Sequence, residues 1–464
     1  MKTSTEKETS NKTKRDVMLE AGICDMRYGV KGMYIWLPYG MEIRNRVDSI
    51  IREEMKRTSH GEVYFPLLIP ENYFKKEEEH IKGFSTQVYW VTHGGDKRLK
   101  RKLLLRPTSE TAMYPSFALW IRTHRDLPLK IFQIVNTYRY ETKQTRPLIR
   151  IREIHFFEAH TAHETFEESE KQIAEDAEIM SNIGKKLCIP YLLNRRPEWD
   201  KFAGAYYSMG ADAFMPEGKT LQIGTIHNYR DNFSKAYNIE YKDDEGKEHY
   251  VHQTTYGMSE RLIGAVVLLH SDSAGLILPP AIAPIKGVII PVIFKGKEKR
   301  VMEFADEIHE DLRDFVIDKR SMTPGNKYYD WEKKGVPLRI EIGPREVDES
   351  CVVIVPRDTK EKIKTAKEDV KETVERELNA LSDRLYKKAE KLLREKIVNI
   401  EDMNKRKVSR KVARFNWCGS EECGHAIEES LGISLLGTGS EKEKGRCISC
   451  HRECDAIAYG AKTY

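Results

Sequence analysis

Residues Tyr138 to His163 read YRYETKQTRPLIRIREIHFFEAHTAH. Apolar and β-branched residues flank a break that carries Lys143, Arg146 and Pro147. That pattern predicts two antiparallel strands, the first reaching Glu141 and the second running from Leu148 to Phe157, joined by a charged loop. Arg139 and Glu141, two apart on the first strand, would leave the same face. Arg139, Arg146, Arg150 and Arg152 sit among Ile, Phe and Glu. A guanidinium fork on a rigid strand suits bidentate grip of a phosphate or carboxylate. A half-exposed hairpin with one solvated, charged face fits the same residues, so the rest of the chain has to decide.

At 464 residues the chain has room for about three domains. Its 40% hydrophobic content suffices for ordinary cores, while 33% charged residues is high. The net charge is only +5, so nucleic-acid contact would have to come from local basic patches. No apolar run approaches the roughly 20 residues of a membrane span. The polar start, MKTSTEKETSNKTKRD, lacks the apolar core of a secretory signal, and residues 1–16 are expected to be a flexible leader. Of the eight cysteines, Cys24, Cys188 and Cys351 are scattered and five crowd the last fifty residues. This favours a reducing compartment with one local metal site over a disulfide framework.

Apolar residues Ile43, Val47, Ile50, Ile51 and Met55 recur at helical spacing, predicting a helix from Met41 to Thr58. A strand interrupted by Pro66 follows, from Glu62 to Pro70. The pair suits a dimer interface or a plain core helix and edge strand. Leu103 to Leu105 ends a strand before Arg106, Pro107 and the polar run Thr108-Ser109-Glu110. Those three residues form either a helix cap or a loop whose carboxylate and hydroxyl grip a cationic group. Glu164 to Leu187 is an acidic amphipathic helix, and the aromatic, glycine-rich Arg195 to Gly210 suggests a turn region near a pocket. Leu221 to Asn228 reads as a strand with a bulge near Gly224. In Gly257-Met-Ser259-Glu-Arg261, Ser259 offers a helix N-cap, and Arg261 would project at a helix N-terminus. The helix dipole disfavours a cation there unless it meets an anion. Asp272 to Pro280 is expected to form a turn and a proline-terminated strand.

From Pro284 the composition changes. Strands are predicted at Lys286 to Phe294, Val336 to Arg345 and Ser350 to Pro356, with a helix at Glu298 to Leu312, which together make a small α/β domain with a mixed sheet. Lys360 to Val398 reads as one or two long charged helices. The tail carries Cys418-x4-Cys423 and Cys447-x2-Cys450, with Cys454 and His425 nearby. Two close pairs of thiolates match a closed, structural zinc site, where a redox pair would leave the second pair unexplained.

Taken together and in this order, the helix and strand ending at Pro66, LRPTSET, Arg139-Tyr-Glu141, Arg150, HTAH, Gly257-Met-Ser-Glu-Arg261 and the cysteine tail resemble the prolyl-tRNA synthetases of the archaeal and eukaryotic type. The resemblance covers nearly everything from residue 17 to Tyr464. It implies an α+β architecture in three parts. A class II synthetase antiparallel sheet flanked by helices would span 17–283. An α/β anticodon-binding domain would span 284–398, and a small zinc-binding α/β C-terminal domain 399–464. It also implies a cytoplasmic homodimer joined through the Pro66 helix and strand, with ATP, Mg2+ and Zn2+ as cofactors and proline and its tRNA as substrates. By resemblance, Thr108, Glu110, Arg139 and His227 would hold proline. Arg139, Glu141, Arg150, Gln222, Thr225, Ser259 and Arg261 would hold ATP, with Arg139 and Arg261 catalytic. Cys418, Cys423, Cys447 and Cys450 would hold zinc. Arg339, Glu341 and Arg345 are anticodon candidates, and Lys143 and Arg146 candidates for the acceptor end. The short segment between the Arg139 and Arg261 motifs leaves no room for an editing insertion, and cysteine, close to proline in size, is expected to be admitted by mistake.

Overall fold

The computed structural model describes residues 17–75, 87–142, 144–403 and 407–464. The expected leader, 1–16, and Lys143 lie outside them. Helix α1 (Pro38–Arg57) starts three residues earlier than the periodicity predicts, because proline is well suited to a first helical turn. The Pro66 segment is not one strand. It splits into β1 (Gly61–Glu62) and β2 (Leu68–Pro70) around the proline, which has no amide to offer a ladder. Strands β3 (Tyr89–Gly94) and β4 (Lys97–Leu105) join β2 in a small antiparallel sheet, and α2 (Glu110–Trp120) follows.

The organising hairpin is formed by β5 (Leu129–Tyr138) and β6 (Glu153–His163), antiparallel with Leu129 opposite Ala162 and Tyr138 opposite Glu153. Both strands differ from expectation. Arg139 and Glu141 lie beyond the first strand, and Leu148 to Arg152 belongs to the loop. The ladder runs one bond further, Arg139 N–H to the Arg152 carbonyl at 2.9 Å. A tight turn then closes between Arg146 and Arg150, with the Arg146 amide donating to the Arg150 carbonyl at 2.7 Å. The widened loop leaves free carbonyls that a regular ladder would have used: that of Glu141 accepts from Arg152 Nε at 3.1 Å and that of Ile149 from Arg261 Nε at 2.8 Å.

Helix α3 (Phe166–Lys186) leads to β7 (Leu192–Arg195), β8 (Tyr207–Met215), β9 (Lys219–Arg230), β10 (His252–Ser259) and α4 (Arg261–His270). The sheet order here is β7-β8-β9-β10-β6-β5-β1, antiparallel except for β1 beside β5. Ile43, Ile51 and Met55 of α1, Ile179 and Ile183 of α3 and Leu262 and Val266 of α4 pack with Phe157, Ala159, Ile226 and Met258 from one face of the sheet. Strand alternation therefore turns Phe156, Glu158 and Ser259 to the other face. The bulge expected near Gly224 is present. Gly224 pairs with Ala211 and Gln222 with Asp212, leaving Ile223 as the extra residue. Without it Gln222 and Thr225, three apart, would face opposite ways.

The strand expected before Pro280 is absent. Instead, the Leu276 and Leu278 amides donate to the carbonyls of Lys333 and Gly335, in the next unit. That unit holds β11 (Gly287–Pro291), α5 (Glu298–Asp311), β12 (Phe315–Ile317), α6 (Pro324–Lys334), β13 (Leu338–Ile342), α7 (Pro344–Asp348) and β14 (Cys351–Pro356). Its sheet order is β12-β11-β13-β14-β15, mixed as expected, with β15 (Ile363–Ala366) on the edge beyond β14. Residues 363–366 were expected to be helical. Edge pairing with β14 takes this run, with its β-branched Ile363 and Thr365, and α8 (Val370–Lys396) begins after it. The C-terminal unit, with β16 (Ile397–Asn399), β17 (Val412–Asn416), α9 (Glu421–Leu431), β18 (Ser434–Arg446) and β19 (Glu453–Ala461), adds its strands to the large sheet in the order β16-β17-β19-β18, next to β7.

Candidate active site

The turn from β4 into α2 is locked by Arg106, only 2% exposed. Its Nη1 donates to the Phe65 carbonyl at 2.7 Å and its Nε to that of Asn136 at 3.0 Å. This fixes Thr108 and Glu110 over the sheet. The side-chain cap foreseen for this run does not form: Ser109 occupies the N-cap position without a capping bond, and its hydroxyl instead donates to buried Glu158. Glu110 accepts from the Thr108 hydroxyl and from the Tyr229 hydroxyl at 2.8 Å. Ser109 thus turns its hydroxyl away from the helix end, while Glu110 opens the helix with its carboxylate at a cavity wall. Behind it, burial works to raise the Glu158 carboxyl, but hydrogen bonds from His160, Ser109 and Gln133 outweigh that and hold it below the usual range. His227 shares a 2.7 Å hydrogen bond between Nδ1 and Ser208 Oγ. Burial, with His160 and Arg196 adding repulsion, pushes its pKa down to about 3, so the imidazole is neutral at ordinary pH. Thr108, Glu110, Arg139 and His227 line one cavity.

Arg139 is also a wall of the adjoining cavity, and Phe156, Thr225 and Gly257 are shared too. A Cβ on Gly257 would come within 2.6 Å of Phe156 Cζ, so glycine lets that ring lie across the floor. Arg139 Nε donates to the Pro107 carbonyl at 3.1 Å. Burial, then Arg261 beside it, pushes Arg139 down to about 10. Arg261 donates from Nε to the Ile149 carbonyl at 2.8 Å and from Nη1 to that of Gln222 at 3.2 Å. Burial and neighbouring Arg150 lower its pKa as well. Ser259, expected as N-cap, is the last residue of β10, and its Oγ accepts from the Arg261 amide at 3.3 Å. Glu141, Arg150, Gln222, Thr225 and Ser259 complete this second cavity with Arg139 and Arg261. Arg139, Arg150 and Arg261 are all half-buried, and cations that repel one another in such a place gain when an anion arrives between them.

Glu158, Phe156 and the loop residues Asp200, Lys201 and Phe202 also line the first cavity. Sequence reasoning placed Arg195 to Gly210 near a pocket but named none of these residues individually. Phe156 and Glu158 were legible as one face of a strand of alternating residues, whereas the loop offered only its aromatic character. Arg339, Glu341 and Arg345 lie far along the chain in the second unit. Arg339 is held by Glu332 and Glu341, both at 3.0 Å, and stacks 4.0 Å from the Tyr328 ring centroid. Glu341 and Arg345 line a groove there, with Phe294, Lys297 and Tyr328.

The Sγ atoms of Cys418, Cys423, Cys447 and Cys450 lie within 4.8 Å of one another, the only such group among the described residues. Cys418 and Cys450 Sγ are 3.8 Å apart. Four sulfurs about 2.3 Å from a tetrahedral zinc would sit about 3.8 Å apart, whereas a disulfide needs about 2.05 Å. The donor set fits structural zinc. Cys454 and His425 stay outside it, His425 pairing with Glu428 at 3.1 Å.

No helix among the described residues is long and apolar enough to cross a membrane. Residues 89–270 match the class II tRNA synthetase core domain of the G, H, P, S and T type, residues 286–377 an anticodon binding domain, and residues 400–464 the prolyl-tRNA synthetase C-terminal domain. The chain is 53% identical to the proline–tRNA ligase of Thermococcus kodakarensis, over 96% of this chain and 95% of that one. It is also 53% identical to that of Pyrococcus abyssi, over 97% of each. Among solved structures, it superposes on Giardia lamblia prolyl-tRNA synthetase in complex with prolyl-adenylate, with a TM-score of 0.94, 33% identity and 98% of each chain covered. With a class II core, an anticodon-binding domain and a matching C-terminal domain in one chain, and full-length relatives of this kind, the chain belongs to the prolyl-tRNA synthetase family.

Proposed function

We propose that the two adjoining cavities form one adenylate-forming centre, in which proline and ATP meet at Arg139. The observation that carries this reading is that half-buried Arg139 lines both cavities, with an acidic pocket on one side and Arg150 and Arg261 on the other. The cationic secondary amine of proline would sit against Glu110, which Thr108 and Tyr229 hold in place. Its carboxylate would then point to Arg139. A carboxylate oxygen attacks the α-phosphorus of ATP, the bond to the β-phosphate oxygen breaks, and pyrophosphate leaves. Both reactants are anionic, so the chain's task is to hold them in line and offset their repulsion through Arg139 and Arg261. Mg2+ would arrive with ATP and neutralise phosphate charge. No side-chain nucleophile is called for. In the second step a hydroxyl of the tRNA 3′ end attacks the adenylate carbonyl and AMP leaves.

Arg146, 4.9 Å from the Tyr464 ring centroid and 3.5 Å from Glu217, donates its amide to the carbonyl of cavity-lining Arg150 and is proposed with Lys143 to meet the acceptor end. Arg345 and Glu341, in the groove of the second unit, and Arg339 beside it are proposed for the anticodon. Zinc at the four cysteines would be structural, all its positions being filled by protein. A homodimer through α1 and the segment Glu62 to Pro70 is proposed, and Tyr64 in that segment, 75% exposed, leaves a large ring there for a partner to cover. The chemistry suits a cytoplasmic enzyme. The site reading is tested by proline-dependent ATP–pyrophosphate exchange in Arg139→Ala and Arg261→Ala. Loss is expected in both, and exchange at the wild-type rate in either overturns it.

A further inference from the structure

The loop 196–206, between β7 and β8, has two sides. On the inner side Asp200, Lys201 and Phe202 line the first cavity. The Phe202 ring centroid lies 5.0 Å from that of His227, and its amide donates to Ser208 Oγ at 2.9 Å, the same oxygen that holds His227 Nδ1. The Asp200 and Lys201 amides fold back on the Pro197 carbonyl at 3.0 and 3.1 Å, so Trp199 sits inside a rigid turn directly before the cavity residues.

On the outer side the loop is held by the C-terminal unit. Arg196 is buried, pairs with Asp212 at 2.9 Å and donates from Nη1 to the Leu436 carbonyl of β18 at 2.8 Å. Trp199 packs into the C-terminal core, its ring centroid 4.5 Å from that of His425 and 5.9 Å from that of Trp417. A Cβ on Gly424 would come within 2.1 Å of Trp199 Cη2. Gly424 and His425 directly follow Cys423, one of the four clustered thiols, in the first turns of α9. The indole is thus seated on backbone that has no room for a methyl group, on the helix that carries one of the four clustered thiols.

We propose that Trp199 is a positioning residue for the amino-acid pocket: α9 clamps its indole, and the clamp sets Asp200, Lys201 and Phe202 against His227. This rests on reading the first cavity as the proline pocket. The C-terminal unit thereby acts on proline binding without contributing a side chain to the cavity. The clamp acts on one substrate and not the other, because the loop does not border the second cavity.

The test measures KM for proline and for ATP separately in pyrophosphate exchange, and proline binding by equilibrium dialysis without ATP. Trp199→Ala and Gly424→Ala are each expected to raise the proline KM about tenfold and weaken dialysis binding in step, with the ATP KM within about twofold. Trp199→Phe should recover most of the loss. His425→Ala, which removes the ring tilted at 42° against the indole, should raise the proline KM about threefold, and it carries the test with Gly424→Ala if Trp199→Ala does not fold. Glu110→Gln is the control for the pocket itself. If Glu110→Gln weakens proline binding while Gly424→Ala and His425→Ala leave it at wild type, the clamp is overturned and the pocket stands. If Glu110→Gln leaves proline binding unchanged, the pocket reading has failed instead. Equal rises in both KM values would also overturn the proposal, since they mark general loosening.

Discussion

Glu110→Gln replaces a carboxylate by an amide of the same shape at a residue 3% exposed. The two hydroxyls that hold the group, Thr108 and Tyr229, can turn to suit an amide, one donating to its oxygen and one accepting from its nitrogen. The fold should therefore lose about 1 kcal/mol or less. What disappears is the negative charge proposed to face the secondary ammonium of proline, on a carboxylate that is itself buried. A hydrogen bond to a charged group contributes about 1.5–3 kcal/mol, which is roughly 10- to 150-fold in kcat/KM for proline. ATP–pyrophosphate exchange with proline varied at saturating ATP should show that loss. With ATP varied at saturating proline, KM should stay within about twofold, because Glu110 does not line the nucleotide cavity. A proline effect below about threefold, or an equal effect on the ATP KM, would refute the assignment of Glu110.

Arg261→Ala should lower kcat of adenylate formation by about 10²–10³ while proline binding by dialysis changes little, and single-turnover pyrophosphate release measures it. Zinc should be found at one equivalent per chain by metal analysis, and Cys447→Ser should lose it together with thermal stability; a fully stable, metal-free wild type would contradict the site. Burial pushes His60, His163 and His270 down to about 4 and His227 to about 3. The unfolded chain protonates these histidines near pH 6.5, so between about pH 4 and 6.5 it binds more protons and stability falls as the pH drops, by up to about 1.4 kcal/mol per unit for each group. Glu260, raised by burial to about 8, acts the other way. The fold keeps its proton from about pH 4.5 to 8 while the unfolded chain has lost it, so stability falls as the pH rises through that window. The melting temperature should therefore peak near pH 6.5, and a midpoint that climbs steadily from pH 7 to 9 would contradict this.

Much of the architecture was legible because it rests on periodicity. The helical spacing of Ile43 to Met55, the strand alternation around Phe157 and the mixed α/β pattern after Pro284 all report burial of one face. The bulge at Ile223 was legible for a similar reason, since the polar set around Gln222 breaks its period there. What misled was charge inside apolar runs. Arg139 and Arg150 keep strand-like neighbours, yet their guanidinium groups donate to the carbonyls of Pro107 and Tyr464, outside the hairpin, and the residues around them leave the regular ladder. At Thr108 to Glu110, cap chemistry and site chemistry use the same residue types. The partners that take Ser109 and Glu110 away from capping, Glu158 and Tyr229, are too distant in the chain to be read locally. The hold of α9 on Trp199 had no signature in the local sequence, because it joins residues more than two hundred positions apart.

The central claim is that Arg139 joins a pocket for proline to a site for ATP, and amino-acid-dependent ATP–pyrophosphate exchange across all twenty amino acids tests it most directly. The expected result is strong exchange with proline, a weaker signal with cysteine through its similar size, and loss of both in Arg139→Ala. Exchange with threonine or glycine but not proline, or tRNA binding by the wild-type protein with no adenylate formed from any amino acid, would contradict it.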